Sequence, residues 1–339
     1  YLPMKRFLKI ITVLVALLAV VYFLGPKPAA PIYNNNLIQV PAEASALEAY
    51  VAGNEAKHKI KPDNEARIVW ANDSTKAKTP FVIVYLHGFS ASQEEGNPVH
   101  KNIAKQFGCN MYLARLSEHG IDTIDPLINI TATSLWESAK EAYAIGKQLG
   151  EKVILMGTST GGTVALELAS NFEDVAGLVL YSPNIAINNP LAFLSHNQWG
   201  LQIARMVTGG KENIIKNKPP EFKKYWNDHY RLEAIVELQE LLETTMIPSH
   251  FNKIKCPVLT LYYFKDEKNQ DPVVKVSSMK EMFASIATPT NLKRMVPIPE
   301  AGNHVMASPI QSNDIVTVEK ETALFLEQIM QLKKVMYVK

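Results

Sequence analysis

The chain has 339 residues, 35 of them basic and 33 acidic, a formal net charge of +2, and 47% apolar residues. That is ample for one sizeable core and excludes a disordered or fibrous chain. Near-neutral charge, with no long basic run after the N-terminus, gives no electrostatic reason to expect a nucleic-acid partner.

Residues 1–25 carry a distinct signal. Met4-Lys5-Arg6 and Phe7-Leu8-Lys9 precede an apolar run from Ile10 to Leu24 that only Thr12 interrupts. Basic residues before a hydrophobic segment mark an export signal or a signal anchor. The run is at the short end for a span, which needs about 20 apolar residues. No A-x-A cleavage site follows cleanly and no Cys is placed for a lipid anchor. An uncleaved anchor is therefore favoured, with Lys5, Arg6 and Lys9 on the cytoplasmic side and the remaining chain outside. Cleavage and export is the alternative.

Residues 26–66 contain Pro26, Pro28, Pro31 and Pro41 and one weakly helical piece around Ala42 to Val51. They read as a linker followed by a short helix. From Arg67 onward, short apolar runs at Phe81–Leu86, Met111–Leu116, Val153–Met156, Leu178–Tyr181, Val258–Tyr263 and Met295–Ile298 read as strands. Most do not alternate, as expected for strands buried on both faces of a parallel sheet. Helical periodicity falls between them, at Leu135–Leu149, Thr163–Ser170, Ser277–Ile286 and Val318–Leu332. This alternation predicts an α/β fold with a mostly parallel, doubly wound sheet. Residues 188–250 break the rhythm with helical segments only, including Leu194–Val207 and Tyr225–Leu242, and read as a helical cap over the strand ends. The expected organisation is thus a core at 67–187, a cap at 188–250 and the rest of the core at 251–339. Cys109 and Cys256 lack metal-ligand spacing, are too few for a disulfide framework, and read as buried free thiols.

Three loops carry the candidate chemistry. Val153-Ile154-Leu155-Met156-Gly157-Thr158-Ser159-Thr160-Gly161 is a strand, a G-x-S-x-G turn and the start of a helix. Such a turn holds a serine in a strained conformation at a helix N-terminus, where developing negative charge is favoured. Ser159 is the candidate nucleophile. Val82 to Phe89 is a strand ending in His87-Gly88-Phe89; the Phe89 N–H and the Thr160 N–H are the expected oxyanion donors. For His87, packing and local hydrogen bonding is the better reading. A serine hydroxyl needs a general base at neutral pH. His304, on the loop after the last strand and last in the order Ser…Asp…His, is that candidate. The orienting acid is Asp266 counted forward from the preceding strand, or Asp271 counted back from the following helix, with Asp271 preferred. No metal ligands or cofactor site are implied.

These residues resemble the α/β-hydrolase superfamily, particularly its monoacylglycerol-lipase-like and carboxylesterase-like members. The resemblance covers Arg67 to about Leu332. It includes Arg115-Leu116-Ser117-Glu118-His119-Gly120, similar to the Arg-x-x-Gly-His-Gly loop of such enzymes, with Glu118 in place of the first glycine and His119 expected in a structural role. The resemblance implies the α/β-hydrolase fold and hydrolysis of a small-molecule ester or lipid through an acyl-enzyme. A serine peptidase or amidase on the same fold, and a non-catalytic envelope binding protein, are the rival readings.

Overall fold

The computed structural model describes residues 4–216 and 218–335. Residues 1–3, 217 and 336–339, which belong to the expected N-terminal, cap and C-terminal segments, lie outside the described residues. The strands are β1 (Arg67–Val69), β2 (Thr79–Leu86), β3 (Asn110–Leu113), β4 (Gly150–Thr158), β5 (Val175–Tyr181), β6 (Glu212–Ile214), β7 (His229–Arg231), β8 (Val258–Tyr262) and β9 (Lys293–Pro297). The α-helices are α1 (Met4–Phe23), α2 (Ala44–Glu55), α3 (Val99–Phe107), α4 (Ala132–Leu149), α5 (Thr160–Asn171), α6 (Gly200–Thr208), α7 (Phe222–Tyr225), α8 (Leu232–Thr245), α9 (Pro248–Phe251), α10 (Val276–Ser285) and α11 (Ile315–Gln328).

Seven strands form one sheet in the order β1-β3-β2-β4-β5-β8-β9. The pairings are parallel apart from the edge pair β1–β3. Each central strand has alternate side chains in two separate cores, which is why the strands read as unbroken apolar runs. On β4, Val153 and Leu155 enter the core shared with α4, α5 and α10. Ile154 and Met156 enter the opposite core, under α3 and α11. Each such side chain, fully removed from water, contributes roughly 1.5–3 kcal/mol. Local signals set the helix ends: Thr131 and Ser134 form a reciprocal capping box at the start of α4, and Gly108, at φ 61°, closes α3 in the left-handed conformation.

Between β5 and β8 the chain departs from the helical expectation. The stretch expected as one helix over Leu194–Val207 is a 3-10 turn, Ala192–His196, followed by α6, with Trp199 at φ 64° between them. The stretch expected as Tyr225–Leu242 begins with α7, passes through β7 and continues as α8. β6 and β7 pair antiparallel as a small separate sheet that the sequence pattern did not signal. Strands of three residues are too short for a period-2 pattern to emerge.

Candidate active site

Ser159 stands between the last residue of β4 and the first of α5, with φ 52° and ψ −118°. That backbone is strained for a residue with a Cβ. Its N–H donates to the Tyr181 carbonyl (2.9 Å), and its carbonyl accepts from the Thr163 N–H (3.1 Å) and the Asn184 N–H (3.0 Å). Crowding explains the flanking glycines. A Cβ on Gly161 would lie 1.8 Å from the Leu86 carbonyl oxygen, and one on Gly157 would lie 2.5 Å from the Gly161 backbone. Only glycine at both positions lets α5 leave β4 this tightly against β2.

His304 lies on the loop after β9 and is buried. Its Nδ1–H donates to Asp271 Oδ2 across 2.7 Å. Asp271, 1% exposed, also accepts the Val273 and Val274 N–H groups on Oδ1, at 2.9 and 3.0 Å. Burial pushes the Asp271 pKa up, but the charge and hydrogen bond of His304 and the two N–H groups outweigh it, leaving it below the ordinary carboxylate value. Burial likewise works against protonated His304, and the Asp271 carboxylate, with Glu95 further off, reverses the balance to a raised pKa. The geometry separates the two aspartates considered from sequence. Asp266 is exposed and folded into its own turn, where its carboxylate accepts from the N–H groups of Lys268 and Asn269 and from the Asn269 side chain.

The loop after β2 lies over Ser159: a Cβ on Gly88 would fall 3.1 Å from Ser159 Cβ. Phe89 packs edge-on against His119 and Tyr230, with ring centroids 5.7 and 5.3 Å apart. Thr160 opens α5, where the first helical N–H groups have no intrahelical acceptor. His87 is neutral and structural: its Nδ1 bonds the Gly88 carbonyl (2.9 Å), its Nε2 accepts the Leu116 N–H (3.0 Å), and burial lowers its pKa to about 4. His119 is buried against it, with Nδ1 on the Ser117 carbonyl (2.8 Å) and a pKa pushed far down by burial. Glu118 adopts φ 64° and Gly120 φ 70°, so the glutamate takes up a left-handed backbone where similar loops carry glycine. Arg115 holds that loop to α2 through Glu55, at 2.8 and 3.0 Å.

Ser159, His304, Phe89 and Asn184 share one cavity of about 560 Å³. Most of its remaining wall comes from the segment between β5 and β8 and is mainly apolar, with Leu191, Leu194, Ile203, Val207, Ile235 and Leu238 among the side chains. One lining residue went unread in the sequence. Glu95 is buried, its carboxylate accepts the Gly88 N–H at 2.5 Å, and burial raises its pKa to about 7. The Trp226 side chain, just after α7, favours the charged form of this carboxylate and partly offsets burial. Nothing in the spacing of Gln93-Glu94-Glu95-Gly96 distinguishes this carboxylate from its solvated neighbour; only the fold does. Cys109 and Cys256 are both free, with thiols pushed up to about 12 by burial. Among the described residues no group of three or more His, Cys, Asp or Glu is placed to hold a metal ion.

Comparison with known proteins places this arrangement. Residues 134–300 match the Hydrolase_4 family, described as serine aminopeptidase S33. The thermostable monoacylglycerol lipase of Bacillus sp. (strain H-257) is 27% identical over 219 residues, 62% of this chain and 78% of the lipase. Among solved structures, one from the study of the metagenome-derived lipolytic enzymes LipS and LipT superposes with a TM-score of 0.61 at 18% identity, covering 79% of this chain and 99% of its own. The monoacylglycerol lipase of Paleococcus ferrophilus superposes with a TM-score of 0.56 at 16% identity, over 77% and 97% of the two chains. Sheet order, the turn at Ser159 and these similarities agree: the chain has the α/β-hydrolase fold, and its sequence is similar to members of the α/β-hydrolase superfamily.

Proposed function

We propose that the protein is a serine hydrolase that cleaves carboxylic esters through an acyl-enzyme on Ser159. The observation that carries the reading is the meeting of three features in one mainly apolar cavity. These are a serine on a strained strand-to-helix turn, a histidine, and a buried aspartate 2.7 Å behind that histidine.

With Nδ1–H committed to Asp271, His304 presents Nε2 as the base. Ser159 Oγ attacks the acyl carbonyl and gives its proton to Nε2, while Asp271 holds the tautomer and stabilises the imidazolium. The N–H groups of Phe89 and Thr160 receive the oxyanion. His304 then protonates the departing alcohol, and afterwards takes a proton from the water that releases the acid. In this reading residues 188–250 are a cap whose cavity-lining apolar side chains, such as Leu194, Ile203 and Leu238, hold a short- to medium-chain acyl group or a monoacylglycerol-like lipid. The relative named as a monoacylglycerol lipase supports that choice. Residues 1–25 are the anchor: α1 is 20 residues of mean hydropathy 2.2 over its most apolar stretch, with every described side chain exposed. The catalytic domain then lies outside the cytoplasm, with Lys5, Arg6 and Lys9 inside.

Turnover of p-nitrophenyl esters of rising acyl length tests this reading, with highest kcat/KM at short to medium length expected and no hydrolysis at any length contradicting it. The peptidase description of the matched family favours amide hydrolysis as the second reading. A higher kcat/KM for an amide than for the ester of the same acyl group would establish that alternative.

A further inference from the structure

The segment between β5 and β8 leaves large apolar side chains in solvent. Phe193 on the 3-10 turn is 51% exposed, Met206 and Val207 at the end of α6 are 77% and 70% exposed, and Ile214 on β6 is also exposed. Clusters of this kind on a soluble surface mark a contact with something apolar.

The anchor reading of α1 says where the nearest apolar phase lies. The Trp199 backbone N–H donates to the Pro26 carbonyl (2.8 Å), and its indole N–H donates to the Val21 carbonyl (3.0 Å). Val21 is in the last turn of α1, where carbonyls lack intrahelical donors. Trp199 therefore closes the end of α1 and begins α6 at the next residue. It does so from a left-handed backbone, φ 64°, which bulky residues adopt only where surroundings hold them. A helix of 20 residues spans about 30 Å, the thickness of a bilayer's hydrocarbon core. Trp199 then falls at the headgroup level, where Trp and Tyr are enriched. At about 1.5 Å per residue, Met206 and Val207 lie within about 13 Å of that level.

The same face is continuous with the cavity. Leu191 and Val207 are both exposed and both line the space that holds Ser159 and His304. Exposed Lys27, Lys211 and Lys216 accompany it, with side chains long enough to reach headgroup phosphates.

We propose that the exposed face of the 3-10 turn, α6 and β6 docks into the surface of the bilayer that α1 spans, so that the cavity opens on the lipid and takes acyl lipids from it. This rests on, and deepens, the ester-hydrolase reading.

The test uses the full chain in phosphatidylcholine proteoliposomes. A nitroxide on Met206→Cys, in a Cys256→Ala background that leaves only the buried Cys109 thiol, reports the local phase. The label is expected to be several-fold more accessible to oxygen than to a water-soluble nickel chelate, relative to a label on Glu151→Cys. Equal accessibility at the two sites overturns docking. Independently, the double variant Phe193→Ser/Met206→Ser should keep turnover of a soluble short p-nitrophenyl ester within two-fold, while hydrolysis of a monoacylglycerol in the bilayer falls at least five-fold. Equal effects on the two substrates, or none, also overturn it. A lipid-embedded label on a native chain inactive towards all esters leaves docking standing and removes the ester-hydrolase reading instead.

Discussion

Ser159, at φ 52° and ψ −118°, is kept in its conformation by hydrogen bonds on both sides of its peptide, from Thr163 and Asn184 and to Tyr181. The strain belongs to the turn, so replacing the hydroxyl should leave the fold intact. Ser159→Ala is expected to lower kcat at least 10³-fold with an unchanged thermal midpoint, read by ester turnover and circular dichroism. Asp271→Asn should cost about 10⁴-fold in kcat, because a neutral amide no longer fixes the His304 tautomer. Asp266→Asn, which touches only its own turn, should stay within two-fold. The His304 pKa sets the acid limb of the pH profile. A base must be neutral to act, so activity falls as pH drops through that value, and the raised pKa puts the midpoint above the ordinary histidine value of about 6.5. Glu95 contributes to that rise. Burial raises the Glu95 pKa to about 7, so Glu95 carries negative charge as pH rises through that value; Glu95→Gln removes this charge, which favours the imidazolium, and the acid limb should move to lower pH. An unmoved limb would show that Glu95 acts only through the Gly88 N–H.

At the scale of elements, the crossing of α5 over the ends of β2 and β4 is the tightest contact around the site. Gly161→Ala places a methyl 1.8 Å from the Leu86 carbonyl oxygen, a backbone atom that cannot rotate away. It should destabilise the fold by roughly 3 kcal/mol or more, seen as a lower urea midpoint at unchanged m-value. This crossing was legible in the sequence: the apolar run before Gly157 and the helix after it form one pattern, and β2 and β8 announce themselves by the same unbroken hydrophobicity, whereas β9, which begins with Lys293 and Arg294, shows only a short apolar run from Met295. Other elements were not. α3 is a nine-residue helix between loops, and β1 is a three-residue edge strand whose side chains are all half-buried. Neither repeats its pattern long enough to register. The break at Trp199 was hidden for another reason: it sits against the end of α1, where the carbonyl of Val21, 178 residues away in sequence, accepts the Trp199 indole N–H. The candidate nucleophile and base can be read from sequence because motif and chain order are local signals. Separating Asp271 from Asp266 needed the fold, since only the path of the loop decides which carboxylate reaches His304.

For the whole molecule, a doubly wound sheet, the segment between β5 and β8 and an apolar N-terminal helix stand together, and the proposed anchored hydrolase needs all three. If α1 spans a membrane, the full chain should stay in the membrane fraction through an alkaline carbonate wash, and release into the wash would count against the anchor. The central claim is narrower than this arrangement and independent of it: Ser159, activated by His304, is the nucleophile. Its most direct test is covalent labelling of the full chain by a fluorophosphonate probe, comparing the native protein with Ser159→Ala and His304→Ala. The account predicts strong labelling of the native chain, none on Ser159→Ala and a large loss on His304→Ala, while equal labelling of the native chain and Ser159→Ala, or a folded native chain that neither labels nor turns over an ester, would contradict it.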